Sequence, residues 1–154
     1  MAGIPITLDR YKTMIGDEVG VSDWIVVDQP RIDGFADTTL DDQFIHVDPI
    51  RAQSSPFGGT IAHGFLLLSL LSRMSFDALP PLEGAQMDIN YGFNNIRFLA
   101  PVPAGKRVRG RFTLRDVALK GAGSSICTYD VSVEIEGMEK PALAAQWLIL
   151  SVLA

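Results

Sequence analysis

Two histidines stand in this 154-residue sequence, and both lie close to an apolar run. Histidine titrates nearest neutrality, so it is the first candidate for moving a proton. His46 follows Asp41 by five residues, inside a stretch, 39–60, dense in aspartate, serine, proline and glycine. A carboxylate and an imidazole that meet can share one water, or the carboxylate can fix the imidazole tautomer. The spacing leaves a second reading open, in which a loop histidine is hydrogen-bonded for structure alone. His63 and Gly64 stand where the apolar segment begins. The first N–H groups of a helix lack internal acceptors and form an electropositive end. Such an end could hold a carbonyl oxygen as it becomes an enolate oxyanion, and Gly64 would let a ligand come close. Helix–sheet packing explains a glycine there equally well, and His63 also reads as a satisfied histidine near the core.

Other chemistries find less support. The histidine and carboxylate spacing fits no standard zinc pattern, and with one cysteine no thiolate cluster can form, so no metal is expected. No GxGxxG after a strand, no phosphate-binding loop of the Walker type and no GxSxG occur, which removes the signatures of nucleotide-dependent redox and serine-hydrolase chemistry. Cys127 falls inside a strand pattern and reads as core filler. A basic island, Arg97, Lys106, Arg107, Arg109, Arg111 and Arg115, contains no acid. It could meet the phosphates of a long anionic ligand such as coenzyme A, with Arg97, Lys106, Arg107 and Arg109 as the candidates. A solvated strand face is the competing reading.

These residues need elements to hold them. Asp23–Val27 suits a strand. Asp28 can cap a helix opening at Gln29 and Pro30 and running to about Thr38, with Ile32 and Phe35 on one face. Asp48 can cap a short helix over 49–53. The segment 62–76 is apolar almost all round, which demands burial on most sides. Four strands follow, 86–99, 106–119, 124–136 and 141–153, separated by proline and glycine turns. In the second, Val108, Phe112 and Leu114 alternate with Arg107, Arg109, Arg111 and Arg115, the pattern of a half-buried antiparallel strand. The expected architecture is α+β, an antiparallel sheet curled around one long helix.

The bulk numbers fit one domain over 1–154. Hydrophobic residues make up 47% and charged ones 20%, a globular balance. The formal net charge of −5 is a poor match for nucleic acid or an anionic membrane. The N-terminus lacks a basic start followed by an apolar run, and the longest apolar stretch, 61–71, is far short of the ~20 residues a bilayer needs. A soluble cytoplasmic domain is expected.

The stretch FADTTLDDQFIHVDPIRAQSSPFGGTIAHGFLLLSLL, residues 35–71, closely resembles the MaoC-like (R)-specific enoyl-CoA hydratases, most of all their nodulation-protein-N-like branch. NYGFNNIRFLAPVPAGKRVRG, residues 90–110, resembles the same family. The resemblance implies a hot-dog fold, a homodimer, and reversible hydration of trans-2-enoyl-CoA to (R)-3-hydroxyacyl-CoA. It implies catalytic roles for Asp41 and His46, and a backbone N–H at Gly64 on the thioester oxygen. His63 and Gln43 are its substrate-binding candidates. No cofactor is implied, the CoA thioester being the substrate. One departure stands out: the family's glycine before the catalytic aspartate is Leu40 here, a strained residue if the position needs positive φ. A thioesterase on the same fold, or an acyl-CoA binding module disabled at Leu40, are the rival readings.

Overall fold

The computed structural model describes residues 4–154. Chain order runs α1 (Leu8–Lys12), β1 (Glu18–Val21), β2 (Ile25–Val27), α2 (Gln29–Thr39), α3 (Phe44–Val47), α4 (Pro49–Ala52) and α5 (Gly64–Ala78). Four strands follow: β3 (Ala85–Phe98), β4 (Lys106–Leu119), β5 (Ser124–Ile135) and β6 (Leu143–Leu153). The sheet order is β1-β4-β5-β6-β3, with β2 also on β4, and every pairing is antiparallel. This is the α+β layout that the periodicities predict.

Along β4, Val108, Phe112 and Leu114 are fully buried and the arginines between them face outward. A register shift between Leu114 and Asp116 ends the alternation at Arg115. Such bulges bend and twist a strand, and three more interrupt β3 against β6. The bending lets the sheet curl around α5.

Leu66, Leu67, Leu71 and Met74 turn one flank of α5 into the concave side of the sheet. Each such burial stabilises the fold by about 1.5–3 kcal/mol. The helix is less enclosed than its sequence predicts. Phe65 is 64% exposed and Phe76 67% exposed, because the sheet covers one side only and β3 is a free edge. β1 passes close beside the end of α5. A Cβ on Gly20 would sit 1.8 Å from the Ala78 carbonyl oxygen, so only glycine fits that crossing.

Candidate active site

The site is built from the segment between α2 and α5. Asp28 caps α2 by accepting the Arg31 N–H at 3.0 Å, as the sequence suggests. The helix stops at Leu40, which takes the left-handed conformation with φ 62° and ψ 23°. A leucine pays steric cost there that glycine does not, about 1 kcal/mol or more. Leu40 is 86% exposed, so its side chain points to solvent and lines no pocket. The reversal carries Asp41 and Gln43 around to α3, a single turn that sequence periodicity could not reveal. That turn buries His46 to 7% exposure.

Three hydrogen bonds fix His46, the first from its backbone N–H to the Gln43 carbonyl at 2.9 Å. Its Nδ1–H donates to the Ile61 carbonyl at 2.7 Å, since a carbonyl can only accept. That leaves Nε2 as the lone-pair nitrogen. Ile61 N–H donates to the Ile45 carbonyl at 3.0 Å, tying the two segments in the other direction. Gln29, at the start of α2, donates its amide to the His46 carbonyl at 2.7 Å and to Asp33 at 2.8 Å, and accepts from the Thr60 hydroxyl at 2.5 Å. Gln29 and Thr60 carry no sequence signal beyond helix start and loop, so only the fold reveals them as supports. Burial pushes the His46 imidazole below its ordinary pKa, opposed by the Ile61 carbonyl, reinforced by His63 and opposed again by Asp41. The neutral, proton-accepting form is favoured.

Asp41, His46 and His63 each bring a donor atom to within 4.8 Å of the others. Two hydrogen bonds of about 2.8 Å meeting on one water oxygen span roughly 4.5 Å, so one water can bridge the carboxylate and the imidazole. The two rings stack, with centroids 3.8 Å apart and planes 24° apart. Imidazole lone pairs lie in the ring planes, and stacked planes do not aim them at one shared cation. One nitrogen of each ring is also bonded to a carbonyl already. The trio is a poor chelate, and the water clamp is Asp41 with His46.

The remaining candidates separate. Gly64 opens α5, where backbone N–H groups lack intrahelical acceptors. It also packs: a Cβ there would meet the Phe98 ring at 2.8 Å. His63 is the N-cap residue of α5 and makes no side-chain cap bond. Its ring is 2% exposed and its Nε2–H donates back to the Asp41 backbone carbonyl at 2.9 Å. Gln43 is exposed at the start of α3 and makes no side-chain cap bond. The basic island is largely neutralised by acids on β1, on β5 and in the turn that follows β5. Arg107 pairs with Glu136, Arg109 and Arg111 share Glu134, and Arg111 also reaches Glu18. Arg107 and Arg109 are therefore not free cations, which corrects the expectation for those two. Arg97 and Lys106 make no ion pair among the described residues. Cys127 is buried, its thiol pushed up to about 11 by burial, which suits filler and not a nucleophile.

Three cavities border α5. One of about 190 Å³ touches Gly64, Leu67 and Phe98. One of about 270 Å³ touches Leu68, Phe93 and Trp147. The third, about 650 Å³, lies beyond and shares Ser72, Asn90 and Trp147 with the second. None of them is lined by Asp41 or His46; the Asp41 side of the site is open to solvent, while the largest cavity lies toward the far end of the helix.

Known proteins resemble this chain in sequence and in fold. A family model described as the MaoC like domain matches residues 10–135. Nodulation protein N of Rhizobium leguminosarum bv. viciae is 52% identical over 146 residues, 94% of this chain and 91% of that one. The 3-hydroxyacyl-thioester dehydratase Z of Mycobacterium tuberculosis (strain ATCC 25618 / H37Rv) is 46% identical over 134 residues, 87% of this chain and 88% of that one. The (R)-hydratase from A. caviae involved in PHA biosynthesis superposes with a TM-score of 0.70 at 25% identity, covering 86% of this chain and 95% of that one. A sheet curled around one helix, with carboxylate and imidazole beside the helix start, defines a hot-dog protein of the dehydratase class. This chain belongs to the MaoC-like dehydratase family.

Proposed function

We propose that the protein is an (R)-specific enoyl-CoA hydratase, adding water reversibly to trans-2-enoyl-CoA to give (R)-3-hydroxyacyl-CoA. The observation that carries this reading is the Asp41 carboxylate and the His46 imidazole lying within one water's span. His46, held neutral with Nδ1–H on Ile61, offers Nε2 as an acceptor. Asp41 and His46 would orient the water over C3 of the enoyl group. The pair takes the water's proton as its oxygen bonds to C3, and returns a proton to C2. The two groups act as one coupled unit in this exchange. The thioester oxygen gains negative charge in between, and the free N–H at Gly64 with the α5 dipole is the group suited to stabilise it. No metal or redox step enters.

The rest of the ligand has candidate contacts. The cavities beside α5 suit an acyl tail laid along the helix; from Gly64 to Ser72 the helix advances ~12 Å. Arg97 and Lys106 remain the candidates for the CoA phosphates. A second copy of the chain is the expected partner: β3 is an unpaired edge, and Met87, Ile89 and Tyr91 on it, with Phe65 and Phe76 on α5, are exposed apolar residues. No helix among the described residues is long and apolar enough to cross a membrane.

The test pairs two readouts on crotonyl-CoA: loss of the enoyl absorbance and release of free thiol. Hydration predicts absorbance loss with no thiol. Free thiol appearing in step with the absorbance loss would replace this reading with a thioesterase. Tight binding of CoA esters with neither signal on any chain length would make it a binding module.

A further inference from the structure

We infer that His63 is a positioning residue: it sets where Asp41 stands relative to His46 and does not itself touch substrate. Its consequence for turnover rests on the hydratase reading, but the geometry stands by itself.

The His63 Nε2–H bond to the Asp41 carbonyl joins residues 22 apart in sequence. Among the described residues it is the one hydrogen bond made by Asp41. Asp41 directly follows the left-handed Leu40 on an exposed reversal. A carboxylate at such a point has little else to fix it, because neither Asp42 nor Gln43 makes a side-chain bond among the described residues. The same ring stacks on His46 at 3.8 Å and packs against Phe35 at 5.0 Å.

Ile61–His63 is therefore an anchor for both members of the pair. Its first residue accepts the His46 proton on a backbone carbonyl, and its last donates to Asp41. The anchor is itself held: Ala62 N–H donates to the Val102 carbonyl at 2.8 Å, and Ile61 N–H to Ile45. The residue after it is Gly64, the helix start. Displacing this strip would move the carboxylate, the imidazole and the helix N–H groups relative to one another.

The other ring nitrogen argues against a chemical role. His63 Nδ1 is buried without a partner, so it faces neither solvent nor an open cleft. A group exchanging protons with substrate must reach it. An unpaired buried acceptor is unfavourable, and here it accompanies a ring whose opposite nitrogen fastens Asp41.

Two substitutions separate the parts. His63→Phe keeps an aromatic ring against His46 and removes the donor. His63→Gln places an amide N–H near the Nε2 position and removes the ring. Crotonyl-CoA hydration should show kcat lowered about 100-fold in His63→Phe, the scale of a misplaced catalytic group. KM should stay near wild type, and His63→Gln should recover most of kcat. Amide hydrogen exchange supplies a readout independent of activity. The His46 amide, which donates to the Gln43 carbonyl at 2.9 Å, should exchange faster in His63→Phe and regain protection in His63→Gln, with exchange in the β5 core unchanged. Wild-type kcat in a folded His63→Phe, or unchanged protection of the His46 amide there, would overturn the inference. Loss of kcat in both variants with the His46 amide protected in both would also overturn it, by making the imidazole itself the reactive group. A wild-type protein inert on every enoyl thioester would sink the hydratase reading alone, and the exchange data would still decide the role of His63.

Discussion

Two polar clusters pack around the central helix, and burial gives their members opposite electrostatic fates. At the start of α5 lie Asp41, His46 and His63. Against its later part lie Tyr11, Tyr129 and Cys127, with the two tyrosine hydroxyls 2.9 Å apart. Burial acts on both clusters but favours whichever form is uncharged. For His46 the uncharged form is the base, so burial leaves a proton acceptor ready near neutrality. For the second cluster the uncharged form is the acid. Burial pushes Tyr11 up to about 12 and Cys127 up to about 11, and raises Tyr129 well above its usual range. Those groups are locked as neutral donors and acceptors. Burial therefore does not mark a reactive site by itself; what matters is which protonation state it leaves at working pH.

The largest contrast should come from substitution. Asp41→Asn or His46→Gln should lower kcat by about 10³-fold, within the range of a lost acid–base group, while the thermal midpoint stays close to wild type. Tyr129→Phe should do the reverse, costing about 1 kcal/mol of stability through one lost buried hydrogen bond and leaving crotonyl-CoA turnover unchanged. If Tyr129→Phe abolished turnover in a folded protein, the division between the clusters would fail.

Acid and alkali should sharpen the same division. His46 has a folded pKa below its unfolded value, so its contribution to stability is present above the unfolded pKa of about 6.5 and is lost as pH falls through the folded one. Turnover should fall over the same window as the imidazole protonates. Tyr11 and Cys127 have folded pKa values above their unfolded ones. Their contribution is full below about 8.5, the unfolded thiol value, and is lost as pH rises toward the folded values. Denaturant titrations across pH should show His46→Gln flattening the acid side only and Cys127→Ala the alkaline side only.

The smallest effect concerns Leu40. Replacing a left-handed leucine by glycine relieves steric cost but loosens the unfolded chain, so Leu40→Gly should gain at most about 1 kcal/mol by urea denaturation. It should leave KM unchanged, because the leucine side chain faces solvent. A marked change in KM would place Leu40 against substrate.

Much of the scaffold was legible because it follows local rules. Asp28 and Asp48 announce their helices as caps, and β4 announces its faces by strict alternation. The strain at Leu40 was also readable, since a glycine position filled by leucine tests one backbone angle, and φ is 62°. What could not be read depends on partners distant in sequence. α3 is four residues long, too short for periodicity, yet it buries His46. Gln29 looks like any residue in a first helical turn until the fold brings it to the His46 carbonyl. The arginines of β4 look like a phosphate-binding patch until Glu134 of β5 and Glu136 just beyond it arrive beside them. His63 was singled out from the sequence for its place at the helix start, and nothing local shows that its ring turns back to the Asp41 carbonyl.

The claim at the centre is that one carboxylate and one imidazole operate on a single water, and a double-mutant cycle tests it most directly. Residues acting as a unit are strongly non-additive, so Asp41→Asn/His46→Gln should hydrate crotonyl-CoA about as slowly as the worse single variant. Rate losses that multiply, reaching about 10⁶-fold in the folded double variant, would mean that the two residues work separately and would contradict the account.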